Sequence, residues 1–329
     1  MTANVLIVAP AWVGDMVMAH SLVRVLVETA HANVHLLAPA VTAPLGKRMP
    51  GVVATHVLDV AHGELGLGKR RAWGRAHVGK FDQAIVLPNS FKSALAPYWA
   101  RIPQRTGWRG EARLGVLNDR RLLEPAVYPR MVDRFVALAQ ARGEAVMAPP
   151  LPELTADLSN AQALCERFSL TSTGAVTVLC PGAEFGPAKR WPPEHFAAVA
   201  RHALGEGHSV WLLGSRADAA VAAEIEGQVP GALANLCGRT TLLDAVDLLS
   251  LAERVVCNDS GLMHVACALG RRVVGVFGST SPDFTPPLGP GATVVREAQP
   301  CSPCFQRECP LGHLRCLREL SPDKVIGVL

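Results

Sequence analysis

The sequence predicts an α/β protein built from two doubly wound parallel-sheet domains. Three observations carry that expectation. Unbroken apolar strands alternate with amphipathic helices along most of the chain. The alternation restarts after a proline-rich stretch near the middle, and polar, glycine-punctuated turns follow the carboxyl ends of several strands. Strands that are apolar throughout belong in sheets covered on both faces. Two such domains would face a central cleft formed by the carboxyl ends of their strands, and a ligand is expected there.

Taken in order, residues 4–10 read as a continuous apolar strand, followed by Gly14-Asp15 and an amphipathic helix to about Ala30. Strands follow near 33–38, 52–57 and 83–87, with helices at 93–101 and 130–142. Residues 145–154 (AVMAPPLPEL) interrupt the rhythm and read as a linker, which places one domain at 1–155 and the other at 156–329. The second half opens with a helix at 159–168. Strands at 175–181, 209–213, 232–236, 254–257 and 273–277 then alternate with helices at 193–205, 218–228, 242–252 and 261–269.

Composition narrows the function classes. Hydrophobic residues make up 49% of the 329 and charged residues 18%, enough for two substantial cores. No apolar run reaches the ~20 residues that cross a bilayer, and no export signal is apparent, so a cytoplasmic protein is expected. The formal charge of +4 is uneven, with 18 Lys/Arg against 12 Asp/Glu in residues 1–160. A basic first half suits an anionic partner, such as a phosphorylated substrate or a membrane surface. Nucleic acid is disfavoured, because aromatics are only 5% and no recognition motif appears.

Failed motifs exclude more. Gly63-x4-Gly68-Lys69 copies most of a phosphate-binding loop, but Arg70 replaces the hydroxyl residue that would bind Mg²⁺. It reads as a flexible basic loop. No G-x-G-x-x-G and no Asp-x-Asp occur, so neither a dinucleotide dehydrogenase nor a metal-chelated nucleotide sugar is signalled. Of nine cysteines, five sit in apolar surroundings and read as small core residues. The other four form the run Cys301-x2-Cys304-x4-Cys309-x6-Cys316, with His313 inside it. That spacing permits a tetrahedral Zn²⁺ site but fits no standard zinc motif. A reduced loop with incidental thiols is the favoured reading, ahead of a metal site and of a catalytic thiol.

Three loops would converge on the cleft. In the first, 11–16 (AWVGDM), Gly14 permits a close backbone approach and Asp15 opens the first helix, where a helix cap is its simplest role. In the second, 181–192 (PGAEFGPAKRWP), Lys189 precedes a proline-started helix and can reach an anion; Trp191 and Pro192 anchor the turn. In the third, Asn258-Asp259-Ser260-Gly261 joins a strand to a helix whose free N–H groups favour a phosphate. Asp259 or Ser260 could equally be an ordinary cap. His264, one turn later, reads on its own as a packing residue, and 278–282 (GSTSP) borders the same region through Ser279.

Together these loops resemble the ADP-heptose:lipopolysaccharide heptosyltransferases of glycosyltransferase family nine. The carriers are AWVGDMVMAHSL at 11–22, PGAEFGPAKRWP at 181–192, LCGRTTLLDAVDLLSLA at 236–252 and NDSGLMHVACALG at 258–270, nearest to the pattern of the heptosyltransferase II group. The resemblance implies a GT-B fold, with an acceptor-binding first domain and a donor-binding second one. It implies inverting transfer, without metal or cofactor, from ADP-L-glycero-D-manno-heptose to the first heptose of a heptosyl-Kdo-lipid A acceptor. Contact would be peripheral, at the cytoplasmic face of the inner membrane. By resemblance, Asp15 is the general base and Lys189 neutralises the departing diphosphate. Asp259 would hold heptose hydroxyls, and Ser260, Gly261 and Leu262 would offer N–H groups to phosphate, with His264 in the same motif. Glu184 departs from the hydroxyl residue that relatives can carry. Heptosyltransferase I chemistry, another donor or acceptor on this fold, and a non-catalytic two-domain binding protein stay open.

Overall fold

The computed structural model describes residues 2–61, 63–142, 144, 148–171 and 174–329. The chain separates into two compact units, Met1–Glu153 and Leu154–Leu329. Of the expected linker at 145–154, residues 145–147 lie outside the described residues.

The first unit holds strands β1 (Asn4–Val8), β2 (Asn33–Ala38), β3 (Val52–Val57), β4 (Gln83–Val86), β5 (Gln104–Trp108) and β6 (Asp119–Arg121). Its helices are α1 (Val13–Met18), α2 (His20–Ala30), α3 (Leu67–Ala76), α4 (Leu95–Trp99) and α5 (Met131–Val136). All pairings are parallel, in the order β3-β2-β1-β4-β5-β6. β1 is central, which is why Leu6 and Ile7 are fully buried. The chain leaves β1 toward β2 on one side and later returns beside it as β4. The two connections diverge at the carboxyl end of β1 and open a crevice there.

The second unit repeats the topology with β7 (Val176–Cys180), β8 (Ser209–Leu212), β9 (Leu233–Asn235), β10 (Arg254–Asn258), β11 (Arg272–Phe277) and β12 (Ala292–Arg296). Its helices are α6 (Leu158–Phe168), α7 (Pro193–Gly205), α8 (Ala219–Gln228), α9 (Leu242–Leu249), α10 (Gly261–Ala268), α11 (Arg315–Arg318) and α12 (Pro322–Ile326). The order β12-β11-β10-β7-β8-β9, again all parallel, is the first unit's order read from the opposite edge. Here β7 and β10 flank the divergence point, and Cys180 pairs with Cys257 beside it. Trp191, Phe196, Leu212 and Val256 fill the core around that centre.

Several local expectations are corrected. The first helix is two: α1 ends at Met18 and α2 begins at His20, with Ala19 as the joint. Trp12, not Asp15, is the N-cap of α1; Asp15 lies in its first turn. The segment expected as a flexible basic loop is largely α3, packed so closely on α4 that a Cβ on Gly74 would stand 2.7 Å from the Ala96 carbonyl oxygen. Arg70 is buried there and donates through Nε to the Leu65 carbonyl at 2.8 Å, while Arg71 and Arg75 are exposed. Among the described residues no helix is long and apolar enough to cross a membrane.

Candidate functional site

The site in the second unit is built from the turns that leave β7, β10 and β11. Asn258, the last residue of β10, is fully buried and ties down the loop after β7 at both ends. Its Nδ2 donates to the Pro181 carbonyl at 2.7 Å, and its Oδ1 accepts from the Trp191 N–H at 3.0 Å. The Trp191 indole N–H donates in turn to the Leu320 carbonyl at 3.0 Å. Within the loop, Gly186 has φ +154, and a Cβ there would stand 2.4 Å from the Arg307 carbonyl oxygen. Only glycine fits, and the chain then makes a short 3₁₀ turn, Pro187–Lys189, that delivers Lys189.

Lys189 Nζ donates to Asp259 Oδ2 at 2.5 Å, and the same oxygen accepts from Thr280 Oγ1 at 2.6 Å. Side-chain exposure is 13% for Lys189 and 4% for Asp259, so the pair is shielded from water. The Lys189 ammonium also lies 5.0 Å from the centre of the Phe185 ring, whose centre is 5.5 Å from the Arg307 guanidinium carbon. Two cations therefore share one aromatic ring beside a single buried carboxylate. Glu184 is exposed.

The carboxylate of Asp259 is not a helix cap. Ser260 occupies the N-cap position of α10, yet no side chain caps that helix. The first-turn N–H groups of α10, at the partly accessible residues Gly261 and Leu262, lack the side-chain acceptor that usually satisfies such donors. Below them His264 is buried, its Nδ1 without a hydrogen-bond partner. Burial pushes its pKa down to about 4, Asp259 opposes the shift, and Lys189 adds to it. Ser279 is buried and its hydroxyl has no partner; it borders a small cavity lined by cysteines, while the neighbouring Thr280 makes the bond to Asp259. In the first unit, Gly14 and Asp15 open α1 at the corresponding divergence point, after β1.

The structure thus gathers Lys189, Asp259, Ser260, Gly261, Leu262 and His264 in the second unit and sets Gly14 and Asp15 in the first. Thr280 and Asn258 are site residues that the sequence pattern did not single out. The hydroxyl run 279–281 held a signal for Thr280, whereas Asn258 resembled an ordinary turn residue.

This arrangement has counterparts. The model of glycosyltransferase family 9 (heptosyltransferase) matches residues 70–315. The chain belongs to that family. It is 42% identical to lipopolysaccharide heptosyltransferase 2 of Salmonella typhimurium strain LT2, across 99% of this chain and 97% of that protein. The structure of Escherichia coli ADP-heptose LPS heptosyltransferase II is similar at a TM-score of 0.88 and 41% identity, covering 99% of this chain and 97% of that one. A family 9 glycosyltransferase from Veillonella parvula shares the fold, with a TM-score of 0.86 at 18% identity, over 99% of this chain and 96% of that one. The protein is therefore a family 9 glycosyltransferase, with the two Rossmann-like units of the GT-B class.

Two expectations follow from the site's electrostatics. Removing one partner of a buried pair leaves the other charge uncompensated, at about 3 kcal/mol. Lys189→Met should lose roughly that stability in urea unfolding, and adding Asp259→Asn should restore much of it. Additive losses in the double-mutant cycle would show that the pair is not coupled.

The other concerns pH. An unfolded imidazole titrates near 6.5, whereas folded His264 titrates at about 4. The fold therefore keeps this stability above pH 6.5 and loses it as pH falls toward 4. His264→Gln should reduce the stability lost between pH 7 and 5 by about 2 kcal/mol. His56, also lowered to about 4 by burial and by the adjacent His77, keeps its own slope in that variant. An unchanged pH profile would mean that His264 titrates normally.

Proposed function

We propose that this family 9 enzyme transfers L-glycero-D-manno-heptose, with inversion, from ADP-heptose to the first heptose of the lipopolysaccharide inner core. The observation that carries the donor half is the buried Lys189–Asp259 pair set at the uncapped amino end of α10. The Salmonella and Escherichia coli relatives, both lipopolysaccharide heptosyltransferases, support the identities of sugar and acceptor.

In the proposed reaction the acceptor hydroxyl oxygen attacks the anomeric carbon as the bond from that carbon to the diphosphate oxygen breaks. Asp15 takes the hydroxyl proton, and ADP leaves with the bonding electrons. One displacement inverts the centre through an oxocarbenium-like transition state. Charge accumulates on the departing diphosphate, and fixed donors facing that charge lower the barrier. Lys189 supplies the cation, and the N–H groups of Ser260, Gly261 and Leu262 supply the dipoles. As the incoming phosphates draw Lys189 to themselves, Asp259 is released to accept hydrogen bonds from heptose hydroxyls. His264 supports α10 from beneath, neutral at working pH. Gly14 leaves room beside the base, and Ser279 backs the loop that presents Thr280.

Asp15→Asn should keep ADP affinity while transfer falls by about 10²- to 10⁴-fold, the usual worth of a positioned base. Mass spectrometry of product from ADP-heptose and a truncated heptosyl-Kdo-lipid A reads the outcome. Wild-type turnover in Asp15→Asn would remove it from the chemistry, and transfer only from a different nucleotide sugar would overturn the donor.

The acceptor is anionic and lipid-borne, which suits the exposed Arg71 and Arg75, one turn apart on α3. Lys69 sits beside them in an exposed pair with Asp59. Peripheral docking on the cytoplasmic face of the inner membrane through this helix is part of the proposal, with no role for nucleic acid. Near an anionic surface each such charge contributes about 1 kcal/mol. Arg71→Glu/Arg75→Glu should therefore weaken binding to anionic vesicles at least tenfold; equal binding would clear α3 of the role.

A further inference from the structure

The four clustered cysteines have no part in that chemistry, and their surroundings give them another. Cys301, Cys304 and Cys309 lie in the irregular segment between β12 and α11, and Cys316 lies in α11 itself. Cys301, Cys304, Cys309 and Cys316 all line one cavity of about 20 Å³, with His313 and Ser279 in its wall. The remaining five cysteines are buried elsewhere as small core residues.

One feature makes this cavity unlike a chance gathering of thiols. Ser279 is 2% exposed and brings an unpartnered hydroxyl to the same cavity wall. A buried donor without an acceptor is costly, and a metal-bound thiolate is a strong acceptor. His313 Nδ1 already accepts from the Arg315 N–H at 3.0 Å, which leaves the four sulfurs as the matched set.

We propose that Cys301, Cys304, Cys309 and Cys316 bind one tetrahedral metal ion, Zn²⁺ or iron, through four thiolates. Both ions take tetrahedral sulfur sites. Among the described residues no three His, Cys, Asp or Glu side chains already stand as a metal's ligand set. The ion therefore has to turn the thiols inward about their Cα–Cβ bonds, to about 2.3 Å from zinc. Each bound thiol gives up its proton, and no electron transfer is involved.

The role is structural. The segment has little apolar content with which to fold on its own, yet it backs the loops that carry Lys189 and Thr280. Phe305 N–H donates to the Ser279 carbonyl at 2.7 Å, Ser302 Oγ to the Gly278 carbonyl at 2.6 Å, and Ala188 N–H to the Arg307 carbonyl at 3.0 Å. A four-thiolate clip would hold that backing in place. The inference does not depend on which sugar the enzyme transfers.

The test is elemental analysis of the full-length protein, purified without added metal and washed with EDTA. One equivalent of zinc or iron per chain is expected, and a thiol-specific mercurial should release it while titrating four of the nine cysteines. The element found distinguishes the two ions. Cys304→Ser/Cys309→Ser should lose the ion and melt at lower temperature, whereas Cys165→Ser should keep both. Should the double variant not fold, Co²⁺ added to the demetallated wild type should give thiolate-to-cobalt charge-transfer absorption. Sub-stoichiometric metal lost in the wash, metal retained by the double variant, disulfides among the four cysteines, or no cobalt–thiolate band would each overturn the proposal.

Discussion

The second unit is organised around one pair of opposite charges that neither member could occupy alone. An isolated ammonium or carboxylate shielded from water is prohibitively expensive, and the pair is tolerable only with tight geometry and further hydrogen bonds. Lys189 and Asp259 are 70 residues apart in sequence, so everything that positions them is tertiary. The parallel register of β7 and β10 brings their exits side by side. Asn258 then fixes both ends of the lysine loop to the strand that leads into the aspartate. Thr280 occupies the lone pair of Asp259 that the ammonium leaves open. The buried Trp191 keeps the loop from lifting away.

The two units solve the same topological problem with different outcomes. Each winds helices in opposite senses from a central strand and so opens a crevice at that strand's carboxyl end. In the first unit the crevice is followed by an acidic first turn, at Asp15. In the second it carries a cation, a buried acid and a bare helix end. One backbone plan can thus present an acidic first turn in one copy and a buried ion pair beside an uncapped helix in the other, because the specialisation resides in the turns.

Much of this was legible in the sequence where burial dictates pattern. Central strands such as β1 (NVLIV) and β7 (VTVLC) are apolar at four of five positions, so their existence and parallel character follow from composition alone. The far side of the first sheet carries no such mark: β5 (QRTGW), next to the edge, is polar over its first three residues, and the edge strand β6 (DRR) is polar throughout and only half-buried. α3, with four Lys/Arg and two glycines, has little propensity to fold alone; its stability comes from the close seat of Gly74 on α4. At the site, the residue types drew attention to the loops, while local rules misassigned their partners. Asp259 suits a helix cap by position, but a lysine brought from a distant loop competes for it and wins. Asn258 belonged to the turn that drew attention, but its bracing role was illegible, since its two partners become neighbours only when the sheet forms.

The closed ion pair also bears on which solutes the crevice retains. An ammonium already matched by a carboxylate is a weak trap for simple anions, because inorganic phosphate would have to displace Asp259 and leave it without a counter-ion. A ligand that brings hydroxyl donors together with its negative charge can satisfy both partners at once. Under the proposed reaction, selectivity against the abundant phosphate of a cell would then arise before catalysis, from the resting state of two side chains.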